Sequence, residues 1–269
     1  MAYTKGSAKF NEKTVRNILL ENIRIFRVKF KKDYGNMVLC YDGENCWRKS
    51  IFSHYKESRK EAKETSKFDW SGFFEIMKNI KKEFSENLPY DSVEIPNMEA
   101  DDIIASLVMK NYESENIIII SSDKDFLQLQ RYPNVKQYSP YHRKELTCED
   151  PQKTLFEHIC RGDSSDGIPN ILSDDDVLIT EGTRQKSITS KKLEEWWKDK
   201  KIKTFDKNVP KNFERNKKLI DFKFIPEEVL SQVNPLIGKG TRIKHISDRS
   251  MLTYLIEKAP GFALCLSEF

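Results

Sequence analysis

Asn116-Ile-Ile-Ile-Ile-Ser-Ser-Asp123-Lys-Asp125 decides how the chain is read. Four consecutive isoleucines have no polar alternation, so both faces of this stretch must be covered. Such strands belong to parallel sheets flanked by helices. The serines and aspartates that follow mark the strand's carboxyl end, where open α/β sheets bind ligands. Working outward, Asn36–Tyr41 reads as a buried strand ending at Asp42-Gly43. Ser92–Ile95 reads as another, followed by a helix from Glu99 to about Tyr112. Val135–Ser139 and Arg143–Thr147 read as two more. Helical patterns cover Lys13–Lys31, Trp47–Lys67 and Asp69–Asn87, and dominate after Pro151. The expected class is α/β, with a central, mostly parallel sheet, helices on both faces and a helical region toward the C-terminus. A boundary is expected near residue 150, giving a core over 1–150 and a helical region over 151–269.

The chain has 269 residues, 38% hydrophobic and 33% charged, with 16 Phe and 10 Tyr. That suffices for a sizeable core and argues against disorder. No apolar run approaches the ~20 residues of a membrane span, so no membrane association is expected. The five cysteines form no C-x-x-C pair, which points to a reducing compartment. The net charge is only +4, but it is segregated. Arg48–Lys67 and Thr183–Lys218 are strongly basic, while Gly162–Glu181 carries acids and no Lys or Arg. Basic flanks around an acidic centre suggest a polyanion partner, although either stretch alone is also what a solvated helix face looks like.

Carboxylates gather at the expected strand ends: Asp42, Glu99 with Asp101 and Asp102, Asp123 with Asp125, and Asp163 with Asp166. Any one set has an ordinary explanation, since acids cap helices and Asp favours turns. Together, eight carboxylates near one sheet edge cannot all ionise cheaply without cations. Hard divalent ions, Mg²⁺ first, suit all-oxygen donors. Two such ions about 3.5–4 Å apart would polarise a phosphate and activate water. No phosphate-binding Gly loop, nucleophile elbow or H-E-x-x-H motif is present. The four dispersed histidines (54, 142, 158, 245) read as surface or packing residues.

The ordered set Asp42, Glu99-Ala-Asp-Asp102, Ser-Ser-Asp123-Lys-Asp125-Phe and Gly162-Asp-Ser-Ser-Asp-Gly-Ile-Pro169 resembles the 5′ nuclease, or flap endonuclease, family, and most of all its bacteriophage members. Asn134–Pro140, Leu219–Pro226 and Glu268-Phe269 extend the likeness over nearly the whole chain. The resemblance implies a PIN-like core and an Mg²⁺-dependent 5′→3′ exonuclease with flap endonuclease activity, removing RNA primers from lagging-strand DNA. Two Mg²⁺ ions are implied, with Mn²⁺ able to substitute. By the resemblance, Glu99, Asp101, Asp123 and Asp125 hold an inner metal, Asp42 and Asp102 flank it, and Asp163 and Asp166 hold an outer one. Residues 47–67 resemble the helical arch, in which Arg48 and Lys56 would meet the scissile phosphate, with Lys49, Tyr55 and Arg59 also on DNA. Ile168–Asp176 lacks the glycines of the family's helix-hairpin-helix. Duplex binding is therefore expected from a divergent segment that includes Arg184, Lys186, Lys191 and Lys192. The implied partners are branched, nicked or flapped DNA, RNA–DNA hybrid, a phage single-strand DNA-binding protein and a sliding clamp. A monomer in the cytoplasm of an infected bacterium is expected. The family's first strand and its Asp have no counterpart here. The alternative is thus a truncated, catalytically impaired DNA-binding remnant. A Toprim-type enzyme leaves Glu99-Ala-Asp-Asp unexplained, and a PIN-like endoribonuclease needs fewer acids.

Overall fold

A computed structural model describes residues 11–204, 206–237 and 246–269. The expected lack of a first strand concerns residues 1–10, which lie outside the described residues, as does His245. In chain order the elements are α1 (Glu12–Tyr34), β1 (Val38–Tyr41), α2 (Arg48–Ile51), α3 (Glu57–Glu64), α4 (Trp70–Asn87), β2 (Asp91–Glu94) and α5 (Ala100–Asn111). There follow β3 (Ile117–Ile120), a 3-10 helix (Lys124–Arg131), β4 (Val135–Ser139), β5 (Lys144–Leu146), α6 (Pro151–Arg161) and α7 (Ser190–Asp199). The chain continues with α8 (Val209–Ile220), α9 (Glu227–Ile237), α10 (Asp248–Lys258) and a 3-10 segment, Pro260–Glu268.

The described residues divide into two compact units, each built from separated stretches. One unit draws on the chain up to Tyr41, Thr65–Val93 and the chain from Ile237 on. Its core is Leu20, Ile23, Ile80, Phe84, Met251 and Leu255, presented by α1, α4 and α10. Arg16 of α1 is buried there and pairs with Glu83 of α4 at 2.7 Å, so the one charge placed inside is neutralised.

The second unit comprises Asp42–Glu64 and Glu94–Leu236. β3 pairs with β4 in parallel, from Ile117 opposite Val135 to Ile120 opposite Tyr138. β5 closes this sheet antiparallel to β4. The single central sheet expected from the sequence is thus divided among the described strands, with β1 and β2 forming a separate two-stranded sheet. Residue 150 falls inside the second unit, because α6 packs on the 3-10 helix rather than starting a new body. Two apolar clusters support the helices here: Phe52, Tyr55, Ile159, Ile168 and Leu219 in one, and Ile171, Leu193, Trp196 and Val209 in the other.

The long basic helix expected over 47–67 is interrupted. After one turn, α2 ends at Phe52, whose φ of −142° is extended, and Lys56 takes a left-handed φ of 57° before α3 begins. At the break the Lys56 N–H donates to the Asp166 carbonyl at 2.8 Å, so a tertiary hydrogen bond replaces the one a continuous helix would make there. No helix occupies residues 162–189, so the divergent segment there is turns and loop between α6 and α7. No helix among the described residues is long and apolar enough to cross a membrane.

Candidate active site

All eight carboxylates singled out from the sequence lie in the second unit. Glu99 is the N-cap of α5 and forms a capping box with Asp102 three residues on. The same turn that starts the helix therefore fixes Glu99, Asp101 and Asp102 in space. Asp42, exposed after β1, joins them through its Oδ1, which accepts the Ala100 N–H at 2.9 Å. Asp123 caps the 3-10 helix by accepting the Asp125 N–H at 3.0 Å, which orients the Asp123-Lys-Asp125 turn.

Asp163 and Asp166 are presented by a tight turn between two glycines. Gly162 caps α6 at φ +65°, where a Cβ would lie 2.3 Å from the Ile168 carbonyl oxygen. Gly167, at φ +73°, lets the turn abut the His54 carbonyl, which a Cβ would approach to 2.8 Å. Only glycine satisfies both the dihedral and the close approach. Within the turn, Asp163 accepts from the Ser165 N–H at 2.8 Å and its hydroxyl at 2.7 Å. The Lys56 N–H donates to the Asp166 carbonyl at 2.8 Å, tying the turn to the basic segment.

A small cavity is lined by Arg48, Tyr55, Glu99, Asp101, Asp125, Asp163 and Asp166. Asp101 is pushed up to about 7, first by burial and then by the charges of Asp123 and Asp125. Asp125 is pushed up to about 6 by burial, which His158 opposes and Asp123 and Asp163 reinforce. Asp163 goes the other way, held well below the carboxylate range by His158 beside it and by Ser165. For Glu99, burial works to raise the pKa, but Lys56 and Arg48 outweigh it and the group stays below its ordinary value. Asp166 is raised chiefly by burial, against the pull of Lys56 and Arg59. Carboxylates forced together in this way attract cations.

The basic residues do not all point at an open site. Arg48 is 4% exposed; its Nε donates to the Leu219 carbonyl at 2.8 Å, and its two Nη groups grip Asp102 at 2.7 and 2.9 Å. Lys56 Nζ pairs with Glu99 and sits 3.6 Å from Asp166. Arg59 pairs with Asp166 and donates from Nε to the Ser165 carbonyl at 2.9 Å. Tyr55, expected on DNA, is 2% exposed, with its hydroxyl 2.8 Å from Glu99 Oε2 and 3.0 Å from Asp166 Oδ2. One O–H serves both carboxylates, which draws the Glu99 and Asp166 sets together.

Asp102, expected beside a metal, is fully buried. Its oxygens take Arg48, the Trp47 indole N–H at 3.0 Å and the Glu99 N–H at 3.1 Å. Asp102 does not line the cavity, and it acts by fixing Arg48 and the start of α5. Lys49, Arg184, Lys186, Lys191 and Lys192 are exposed. Lys186 is 3.5 Å from Asp206, and Lys191 and Lys192 stand in the first turn of α7, whose cap is Thr189.

Three contributors were missed from the sequence. His158 lies between Asp125 and Asp163, 3.5 Å from each. The Cys46 thiol donates to Glu99 Oε2 at 3.1 Å, and Trp47 donates to Asp102. His158 carried one signal: it sits in the last turn of α6, five residues before Asp163, with a helix-ending glycine between them.

Residues 7–157 match the family model of the 5′-3′ exonuclease N-terminal resolvase-like domain. The chain is 35% identical over 236 residues to the Ribonuclease H of Enterobacteria phage T4, covering 84% of this chain and 77% of that protein. It is 31% identical over 147 residues to the Flap endonuclease Xni of Shewanella piezotolerans, covering 51% of this chain and 54% of that one. Among solved structures, it resembles a bacteriophage T5 flap endonuclease in a pseudo-enzyme–product complex with DNA and metal ions, at TM-score 0.67 and 17% identity over 86% of this chain and 92% of that one. A second T5 structure, co-crystallised with metal ions, superposes at TM-score 0.63 and 16% identity over 84% and 91%. At that identity the T5 likeness establishes the fold.

Proposed function

The chain belongs to the 5′-3′ exonuclease family, a family of nucleases, and from that premise we propose that it is a Mg²⁺-dependent 5′→3′ exonuclease and flap endonuclease that removes RNA primers during phage DNA replication. The observation that carries this reading is the convergence of Asp101, Asp125, Asp163 and Asp166 on one cavity, with Asp101 pushed up to about 7. Oxygen donors of this number and density fit hard divalent ions. Asp101, Asp123 and Asp125 would hold one ion, and Asp163 and Asp166 a second. The ions would supply a polarised phosphate and an activated water.

The chain's own groups have separate tasks. Asp102 holds Arg48 in place, and Arg48 with Lys56 sets the charge on Glu99. Lys56 lies within reach of both Glu99 and Asp166, so a scissile phosphate arriving there would meet an ammonium that stabilises developing negative charge. Arg184, Lys186, Lys191 and Lys192 would hold the duplex by its phosphates, without sequence preference and with strong salt sensitivity. The substrates that suit this arrangement are flapped or nicked duplex and RNA–DNA hybrid.

The test is a 5′-labelled, RNA-primed nicked duplex incubated with the 269-residue chain, with Mg²⁺ and separately with EDTA. Short 5′ products in Mg²⁺ alone are the expected result. A folded, DNA-binding preparation that releases none overturns the catalytic reading and leaves a DNA-binding protein without turnover.

A further inference from the structure

Resting on the flap-substrate reading above, we propose that Tyr141, at the tip of the β4–β5 hairpin, is a stacking platform for an unpaired base of the substrate's single-stranded 5′ arm, with Arg143 and Lys144 on the phosphates beside it. The last pair of the hairpin is Ser139 opposite Lys144, so residues 140–143 form the tip. Tyr141 is 80% exposed, further out than any other aromatic ring of the described residues. The basic stretch over 47–67 offers no such ring, because Trp47, Phe52 and Tyr55 are all buried. The His142 imidazole stands nearly perpendicular to the phenol ring, at 84° and 4.9 Å between centroids, and Tyr141 keeps its exposure beside it. An open aromatic face accepts any base, since every base has a π-face to stack on it.

The tip is fixed to the turn that carries the carboxylates. The Ser139 and Ser122 hydroxyls share a hydrogen bond of 2.7 Å, and the Tyr141 N–H donates to the same Ser122 oxygen at 3.3 Å. The His142 N–H donates to Ser139 Oγ at 3.1 Å. From within β4, the buried Gln137 amide donates to the Ser121 carbonyl at 3.0 Å and to the Asp123 carbonyl. Ser122 adjoins Asp123, so a base resting on Tyr141 belongs to a nucleotide close to the acidic turn. The charge at the tip suits a polyanion. Arg143, Lys144 and Lys124 are exposed and, among the described residues, take part in no ion pair. Glu145, the acid next along the hairpin, is taken by Lys136 at 3.8 Å. Arg143 holds a φ of 53°, a conformation for which turns favour Gly or Asn. The turn itself does not call for Arg there, whereas a phosphate does.

The test is binding by the full chain in EDTA, so that no cleavage intervenes. The probes are a fluorescent duplex bearing a single-stranded 5′ arm and the same duplex without the arm. Tyr141→Leu should weaken binding of the armed duplex about fivefold or more, as loss of one stacked base does, and Tyr141→Trp should preserve it. Binding of the armless duplex should not change in either variant. Arg143→Gly, which keeps the positive φ, should reduce the slope of log affinity against log salt by about one. A Tyr141→Leu chain that binds the armed duplex as the unmodified chain does overturns the proposal. Equal weakening on both probes overturns it as well, because the ring would then be a duplex contact. Cleavage in Mg²⁺ with no effect of Tyr141→Leu refutes the platform and keeps the nuclease reading; an arm-specific effect in a chain that cuts nothing does the reverse.

Discussion

Arg48 and Asp102 form a bidentate pair in the interior of the second unit, with Nη2 2.7 Å from Oδ1 and Nη1 2.9 Å from Oδ2. Asp102 is fully buried and Arg48 nearly so. Neither charge reaches solvent, so each depends on the other. The pair also fixes the start of α5, because the same carboxylate accepts the Glu99 N–H. The carboxylates beside the cavity are thus held in place by one that does not face it.

Removing one partner leaves an uncompensated buried charge. Asp102→Ala should cost about 3–5 kcal/mol of folding stability. Asp42→Ala, at an exposed position with one backbone hydrogen bond, should cost only about 0.5–2 kcal/mol. Urea denaturation of both variants measures the difference. Equal, small losses would show that the Arg48–Asp102 pair is not a structural anchor.

The raised carboxylates predict an unusual pH dependence. Asp101 and Asp125 have folded-state values of about 7 and about 6, above the ~3.9 of an unfolded Asp. Between about pH 4 and 7 the folded chain therefore binds more protons than the unfolded one, and stability falls as pH rises through that window. Asp163, depressed by His158 and Ser165, acts in the opposite sense only at lower pH. In EDTA, the melting temperature should be higher near pH 5.5 than near pH 8. Asp101→Asn should flatten that slope, and a slope unchanged by the substitution would refute the assignment.

Asp125→Asn should abolish cleavage, with a loss exceeding the 10–100-fold typical of groups that only support a metal ligand. DNA binding should hold or improve, because one negative charge leaves the site. Asp163→Asn should be milder and should affect duplex endonuclease cutting more than exonuclease action. Single-turnover assays on flapped and nicked substrates separate the two. Equal losses for both variants on every substrate would refute distinct metal roles.

Lys56→Ala removes the ammonium that Glu99 and Asp166 share. Turnover should fall more than substrate binding, giving a lower kcat with KM changed little. A rise in KM alone would make Lys56 an ordinary phosphate contact.

Much of this was legible from sequence because it is set locally. Ile117–Ile120 is the expected strand, though only Ile119 is buried and the other three are half-buried, and Glu99 and Asp102 form the capping box that starts α5. The acidic sets could be found because each is a short run at a strand or helix end. Their separate duties could not. Asp101 and Asp102 are adjacent, yet one lines the cavity and the other is sealed inside, because successive helical residues point about 100° apart. Periodicity likewise predicted an unbroken basic helix over 47–67. A tertiary hydrogen bond from the Lys56 N–H to the Asp166 carbonyl, with Lys56 in the left-handed region, overrode it.

By itself, then, the sequence determined the α/β class, the caps and turns, and the inventory of carboxylates, all of which follow from interactions within a few residues. The tertiary structure alone decided that Asp102 serves Arg48, that Tyr55 and Lys56 hold Glu99 to Asp166, and that His158 stands between Asp125 and Asp163. These contacts join residues 33 to 111 positions apart, apart from the five between His158 and Asp163. Whether such groups meet depends on how helices and strands pack, and no local spacing encodes that.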